Sequence, residues 1–245
     1  MFKKLVGLFT ASLMAIFGLV AMPIAVAPAK AAPPGSAFDP GLIISDSVFF
    51  DFGSMSVADI QQFLDSRVVD CRSTDPAIDC LKSIKTEIPD VPASTLIEVG
   101  PCSAIPANPA ASAAEVIYAV AVACGINPKV LITKLQKEQG LVTSTKPTSY
   151  MYRAAMGFGC PDSDPGICGK VYVGLFNQLY RAAKQLRWYG NPEGSFTYWK
   201  PGRTVSMRYN PKSSCGTKSF ELKNQATANL YYYTPYTPNQ AALDN

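Results

Sequence analysis

Two helices written end to end between Ser112 and Gly140 constrain this fold more than any other feature of the chain. Ser112 followed by Glu115 is a capping box, in which the hydroxyl accepts from the backbone three residues on and the carboxylate reaches back. Val116 to Cys124 is apolar, and Gly125 offers the left-handed residue that stops a helix. Asn127 as N-cap and Pro128 at the first helical position start a second helix at once, KVLITKLQKEQ, which ends at Gly140. A third helix is expected over about 173–189, before Gly190-Asn191-Pro192, and a last one over about 221–232. Between the second and third lies AMGFGCPDSDPGICGK. The pattern predicts a mostly α (α+β) fold, a helical domain over 112–245 carrying a small irregular or β insert.

Upstream of it, SVADIQQFLDSR reads as a short helix with Ser56 and Asp59 at capping-box spacing and Ile60, Phe63 and Leu64 on one face. Leu42–Ser47 and Val48–Phe52 look extended. These elements predict a small N-terminal module over 38–88. Pro89, Pro92, Pro101, Pro106 and Pro109 then mark 89–111 as a Pro-rich linker or an extended wrap. At the start, Lys3 and Lys4 precede an uncharged apolar stretch, and Ala29-Lys30-Ala31 offers small residues for a signal peptidase, so 1–31 is expected to be a signal peptide. The apolar stretch is longer than a usual signal core, and an uncleaved membrane anchor is the rival; Pro23 and Pro28 interrupt its helix.

All seven cysteines follow the leader, and in an exported chain they read as disulfides. Cys71 with Cys80, Cys160 with Cys168, and Cys102 with Cys124 are the expected pairs, leaving Cys215 open to a partner outside this set. There is no CxxC, and no metal is expected. The chain has no histidine, which excludes a Ser-His-Asp or Cys-His nucleophile and a His-ligated zinc hydrolase. Charge divides unevenly: residues 32–111 hold four basic and eleven acidic side chains, and 112–245 hold fifteen and seven. A basic half suits an anionic partner such as a wall polymer, or else attracts the acidic half. Without the leader the net charge is only +1, so nucleic acid is not an expected partner.

On the second helix, Leu131, Leu135, Glu138 and Val142 follow one face. A glutamate in line with an apolar stripe, next to the Gln139-Gly140 exit, is expected at the lip of a partly dry cleft, where burial favours the protonated acid that can donate to a leaving glycosidic oxygen. The alternative is a helix-end glutamate that leans to solvent or pairs with Lys134.

The segment CGINPKVLITKLQKEQGLV resembles the catalytic helix of the lysozyme-like superfamily, and of lytic transglycosylases in particular, with Glu138 in the position of their acid and Gln139 replacing the usual serine. Ala155–Gly159, AMGFG, resembles the glycine turn of their sugar cleft, without its glutamine. NQATANLYYYTPY, from Asn224 to Tyr236, resembles their closing helix with its aromatic wall. The wider pattern, from FDPGLIISDSVFF through KEQGLV and AMGFGCP to ATANLYYYTPYTPN, is similar to a family of exported actinobacterial hemagglutinin-like proteins, whose members often continue with another cysteine, a candidate partner for Cys215.

The resemblance implies a secreted enzyme that cleaves peptidoglycan glycan strands with no cofactor. Glu138 would be its single acid and base, and Met156, Gly157, Phe158, Tyr231, Tyr232 and Tyr233 its substrate contacts. Three consecutive tyrosines cannot share one face, so at least one is expected to be exposed. Hydrolysis would instead need a second carboxylate roughly 5–5.5 Å or 6.5–9.5 Å away, for which Asp162 and Asp164 are the candidates of a muramidase or glucosaminidase. A non-catalytic glycan-binding or adhesion protein on the same scaffold is the remaining alternative. The membrane is a partner only with an uncleaved leader.

Overall fold

The computed structural model describes residues 38–93, 102–161 and 168–244. The leader, Asp162 and Asp164 lie outside the described residues. In chain order the elements are α1 (Asp46–Phe49), α2 (Val57–Arg67), β1 (Lys85–Ile88), β2 (Asn108–Ser112), α3 (Ala113–Cys124), α4 (Pro128–Gln139) and α5 (Ser149–Arg153). Then come α6 (Leu175–Trp188), β3 (Thr204–Arg208), β4 (Thr217–Glu221), α7 (Gln225–Tyr233) and α8 (Gln240–Asp244). Helices predominate in a mixed α+β fold with two small antiparallel sheets, β1–β2 and β3–β4.

Helix α3 is apolar on nearly every side, so burial is its only stable environment, and Val116, Ile117, Val120 and Ala121 are fully buried. Helices α2, α4 and α6 pack around it. Both expected caps form. Ser112 and Glu115 complete the capping box of α3, and the Asn127 side chain accepts from Lys129 N–H at the start of α4. Leu131 and Leu135 are fully buried, and the stripe continues into Leu141 and Val142, so the last turn of α4 is held from both sides.

Phe49, Ile60 and Leu64 belong to the same buried cluster as Ile117, Leu179 and Leu186. Residues 38–88 therefore share one body with 112–245, since α2 buries only Ile60 and Leu64 and so short a segment cannot enclose a core alone. The described part of the proline-rich segment is built into that body. β2 pairs with β1, and a bridge joins Val91 to Ile105.

Several expected elements change. Residues 46–49 form α1 rather than a strand, because the Ser45 hydroxyl caps it and Asn127 takes Val48 O at 2.7 Å. The described part of the stretch between α4 and α6 holds α5, capped by Thr148, and a 3-10 turn at Lys170–Tyr172, with no strand. The β hairpin lies after α6 instead, where Val205 and Met207 alternate inward. Residues 217–221 pair with β3, so the last long helix begins only at Gln225, behind the Asn224 cap. The Asp46 carboxylate also accepts from Ala226 N–H at 2.7 Å, which ties the N-terminal segment to α7.

The pairs Cys71–Cys80, Cys102–Cys124 and Cys160–Cys168 are all disulfides, and Cys215 is free and exposed. Among the described residues no helix is long and apolar enough to cross a membrane.

Candidate functional site

Glu138 occupies the last turn of α4, just before Gly140, whose left-handed φ of 64° turns the chain away. Its side chain is 23% exposed, and Lys134 Nζ donates to its Oε1 at 2.6 Å. Lys137 Nζ stands 3.7 Å from the same oxygen. Oε2 has no hydrogen bond among the described residues. It faces Gly157, where a Cβ would come within 3.3 Å of it. One carboxylate oxygen is thus anchored and the other is presented to a backbone that carries no side chain.

Lys134 is buried, on the same helix as its partner. Desolvation lowers its ammonium pKa, and the charge and hydrogen bond of Glu138 recover part of that loss. The ammonium also lies 3.8 Å from the centre of the Tyr233 ring, a cation–π contact. The ion pair is the arrangement weighed against a dry, unpaired acid, and it is the one the structure contains.

The turn beneath Oε2 is residues 154–159. Gly157 has φ 67° and Gly159 φ 65°, values that cost a residue with a Cβ about 1–2 kcal/mol. A single side chain from α6 holds this turn. Gln178 is fully buried. Its Oε1 accepts from Met156 N–H at 3.0 Å and Phe158 N–H at 3.1 Å. Its Nε2 donates to Phe158 O at 2.8 Å and Tyr172 O at 2.7 Å. Sequence reasoning missed Gln178, although it lies in the apolar stripe Leu175, Leu179, Ala182, Leu186, and a polar side chain in a buried stripe must find partners.

The tyrosines require a correction, because none of the three stands exposed. Tyr231 is 1% exposed, packs with Val205, Met207 and Leu222, and donates to Pro40 O at 3.0 Å. Tyr232 is enclosed by Tyr189, Phe196 and Trp199 with ring centres 4.8–5.2 Å away, and its hydroxyl accepts from Trp199 N–H. Successive residues of α7 point about 100° apart, and here each direction meets protein. Only Tyr233 reaches the Glu138 cluster. Its hydroxyl donates to Met156 O at 2.7 Å, and burial, with Glu138 nearby, holds it far above the usual phenol range. Met156 is also fully buried, so it offers the site its backbone alone, while Gly157, which faces Glu138, and Phe158 are half-buried. Tyr198, in contrast, is 71% exposed.

A cleft of about 390 Å³ opens between α1, α4 and α7. Lys134 and Lys137 line it, and Glu138 and the glycine turn are not among its lining residues. Among the described residues no three Cys, Asp or Glu side chains are placed to hold a metal ion.

The model of the LasA N-terminal domain matches residues 42–193, well over half of the chain. The chain belongs to this family. Within it, the LasA N-terminal domain spans α1 to α6 and includes Glu138, the glycine turn, Gln178 and all three disulfides, but not the hairpin, Cys215 or α7. The family is one of secreted, cell-wall-acting proteins, with which three disulfides agree. No curated protein and no solved structure matches the chain.

Proposed function

We propose that this chain is a secreted, lysozyme-like enzyme that cleaves the glycan strands of peptidoglycan, with Glu138 as its single general acid and base. The observation that carries the reading is the asymmetry of the Glu138 carboxylate. Lys134 fixes Oε1 at 2.6 Å, while Oε2, facing Gly157, has no hydrogen bond among the described residues. A general acid needs an oriented carboxyl with one oxygen within reach of the substrate, and Oε2, left without a protein donor, is the oxygen that could meet it. Protonated Oε2 gives its proton to the glycosidic oxygen as the C1–O bond breaks. The muramic acid's own hydroxyl then closes on C1 and returns its proton to Oε2, leaving an anhydro end and consuming no water.

The decisive experiment treats purified cell-wall sacculi with wild type and Glu138→Gln. Loss of turbidity with wild type, absent in the variant, together with anhydro-ended fragments by mass spectrometry, is the expected result. Reducing ends would replace this chemistry by hydrolysis. Lysis by both proteins would remove Glu138 from the reaction.

A second reading, a non-catalytic wall-glycan binder, draws on the same ion pair, since a carboxylate tied to a buried ammonium serves a purely structural purpose equally well. Equal binding of both proteins to sacculi with no lysis by either would favour it.

A further inference from the structure

We propose that the cleft between α1, α4 and α7 is a binding site for a single-chain amphipathic anion, of which a fatty carboxylate is the simplest example. The cleft has the size of a small-molecule site, about 390 Å³. Ile43, Ile44, Val130 and Leu230 supply aliphatic walls, and three lysines of α4 line it without any carboxylate. Asn127, a polar group of the wall, is already committed. Its Oδ1 accepts from Ser54 Oγ and Lys129 N–H, and its Nδ2 donates to Val48 O. A sugar would therefore meet aliphatic surface with few hydrogen-bond partners, whereas an alkyl chain loses nothing there. Lys129 makes no ion pair among the described residues and is exposed at the rim with Lys137, so an anionic head has two ammonium groups to meet. Ile43 and Val48 at the mouth are 40% and 49% exposed, apolar surface that a chain would cover.

The site is distinct from the glycan reading, because Glu138 and the glycine turn lie outside its lining. Lys134 is shared. It lines the cleft and holds Glu138 Oε1, so an anion lodged against it competes with that carboxylate for the same ammonium.

The test is calorimetric titration of the full chain with straight-chain carboxylates of increasing length, each below its micelle concentration, with dodecanol as the uncharged control. Laurate is expected to bind saturably, each added methylene tightening Kd about fourfold until the cleft is filled. Dodecanol should bind at least tenfold more weakly. Two variants altered at exposed positions keep the fold out of question. Lys129→Gln with Lys137→Gln removes the anion's partners, and Ile43→Asp places a carboxylate at the mouth; each should weaken laurate at least tenfold with an unchanged Tm. No saturable binding, affinity independent of chain length, equal binding of dodecanol, or unchanged laurate affinity in both variants would overturn the proposal. None of these outcomes depends on whether Glu138 cleaves glycan.

Discussion

Replacing Gln178 tests whether the glycine turn is held from α6 as its hydrogen bonds indicate. The side chain is fully buried and satisfies two N–H and two C=O groups of residues 156–158 and 172. At about 1 kcal/mol net for each neutral hydrogen bond, Gln178→Leu forfeits about 4 kcal/mol. The more apolar side chain returns roughly 1–2 kcal/mol, so the expected loss is about 2–3 kcal/mol. Urea unfolding followed by the fluorescence of Trp188 and Trp199 measures it, and a loss below about 0.5 kcal/mol refutes the account.

Gln178→Glu sharpens the test. A carboxyl still accepts from Met156 and Phe158 N–H, but only its protonated form can donate toward Phe158 O or Tyr172 O. Its folded pKa must then lie above the unfolded value of about 4.3. A raised carboxyl pKa gives stability that is fully present below the unfolded pKa and is lost as pH rises through the folded pKa. The Glu variant should therefore approach wild type near about pH 4 and fall behind it by about pH 7. A difference from wild type that does not change with pH would mean that Nε2 contributes nothing. Sacculus lysis, assayed at a temperature where each variant is folded, should drop with the turn, because the turn carries Gly157 beneath Oε2.

Gly157→Ala should cost about 1–2 kcal/mol for the left-handed backbone and reduce sacculus lysis more than that loss explains, since its Cβ would stand 3.3 Å from Glu138 Oε2; unchanged lysis would place the substrate elsewhere. Burial raises the Tyr189 phenol to about 12, so the folded state binds its proton more tightly than the unfolded chain, and about 3 kcal/mol of stability present below pH 10 is lost as pH rises toward 12. Tyrosinate absorbance and far-UV dichroism should then change together, whereas tyrosinate forming in a folded chain would contradict the burial. Replacing Cys102 and Cys124 by serine opens a loop of 22 residues and should cost about 3 kcal/mol; a Tm unchanged from wild type would argue against the bond. Lys134→Met and Glu138→Gln should be non-additive, the double variant being more stable than the two separate losses imply, and additivity would deny the ion pair.

What the sequence discloses and what it hides divide along the range of the interactions. Caps are local. Ser56 with Asp59, Ser112 with Glu115, and Asn127 with Pro128 lie within three residues of their partners, so the helices they start are readable in the residues themselves. The short-range disulfides Cys71–Cys80 and Cys160–Cys168 are readable for the same reason. Helix α1 is not, because the group that takes Val48 O belongs to Asn127, and an apolar SVFF run looks like a strand until that partner is known. The single core is equally hidden. Leu64 and Leu186 share it, yet the prolines between 89 and 109 look like a tether when β2 has no visible partner. The tyrosines mislead for a further reason. Period alone says that three neighbours face different ways, but not that α7 has the hairpin on one side, an aromatic cluster on another and α4 on the third.

Lys134 is the residue on which the local and long-range accounts meet. A methionine there would fill the same space on α4 without the cost of removing an ammonium from water, and buried pairs are commonly no more stabilising than apolar substitutes. Leu131 and Leu135 already anchor the helix, so its packing does not need a charge. What the lysine does, and a methionine could not, is hold Glu138 by one oxygen, rest on the Tyr233 ring, and face a cleft that contains no carboxylate. Each contact draws on the same charge, and each lies toward a different element. A substitution that keeps the volume and removes the charge should therefore leave α3, α4 and α6 packed while freeing Glu138 to change its rotamer. That separates positioning from folding: the Lys134→Met protein should unfold cooperatively, and its sacculus lysis should fall with kcat while substrate affinity changes little. Loss of affinity alone would assign the lysine to binding, and the link between the cleft and the acid would have to be abandoned.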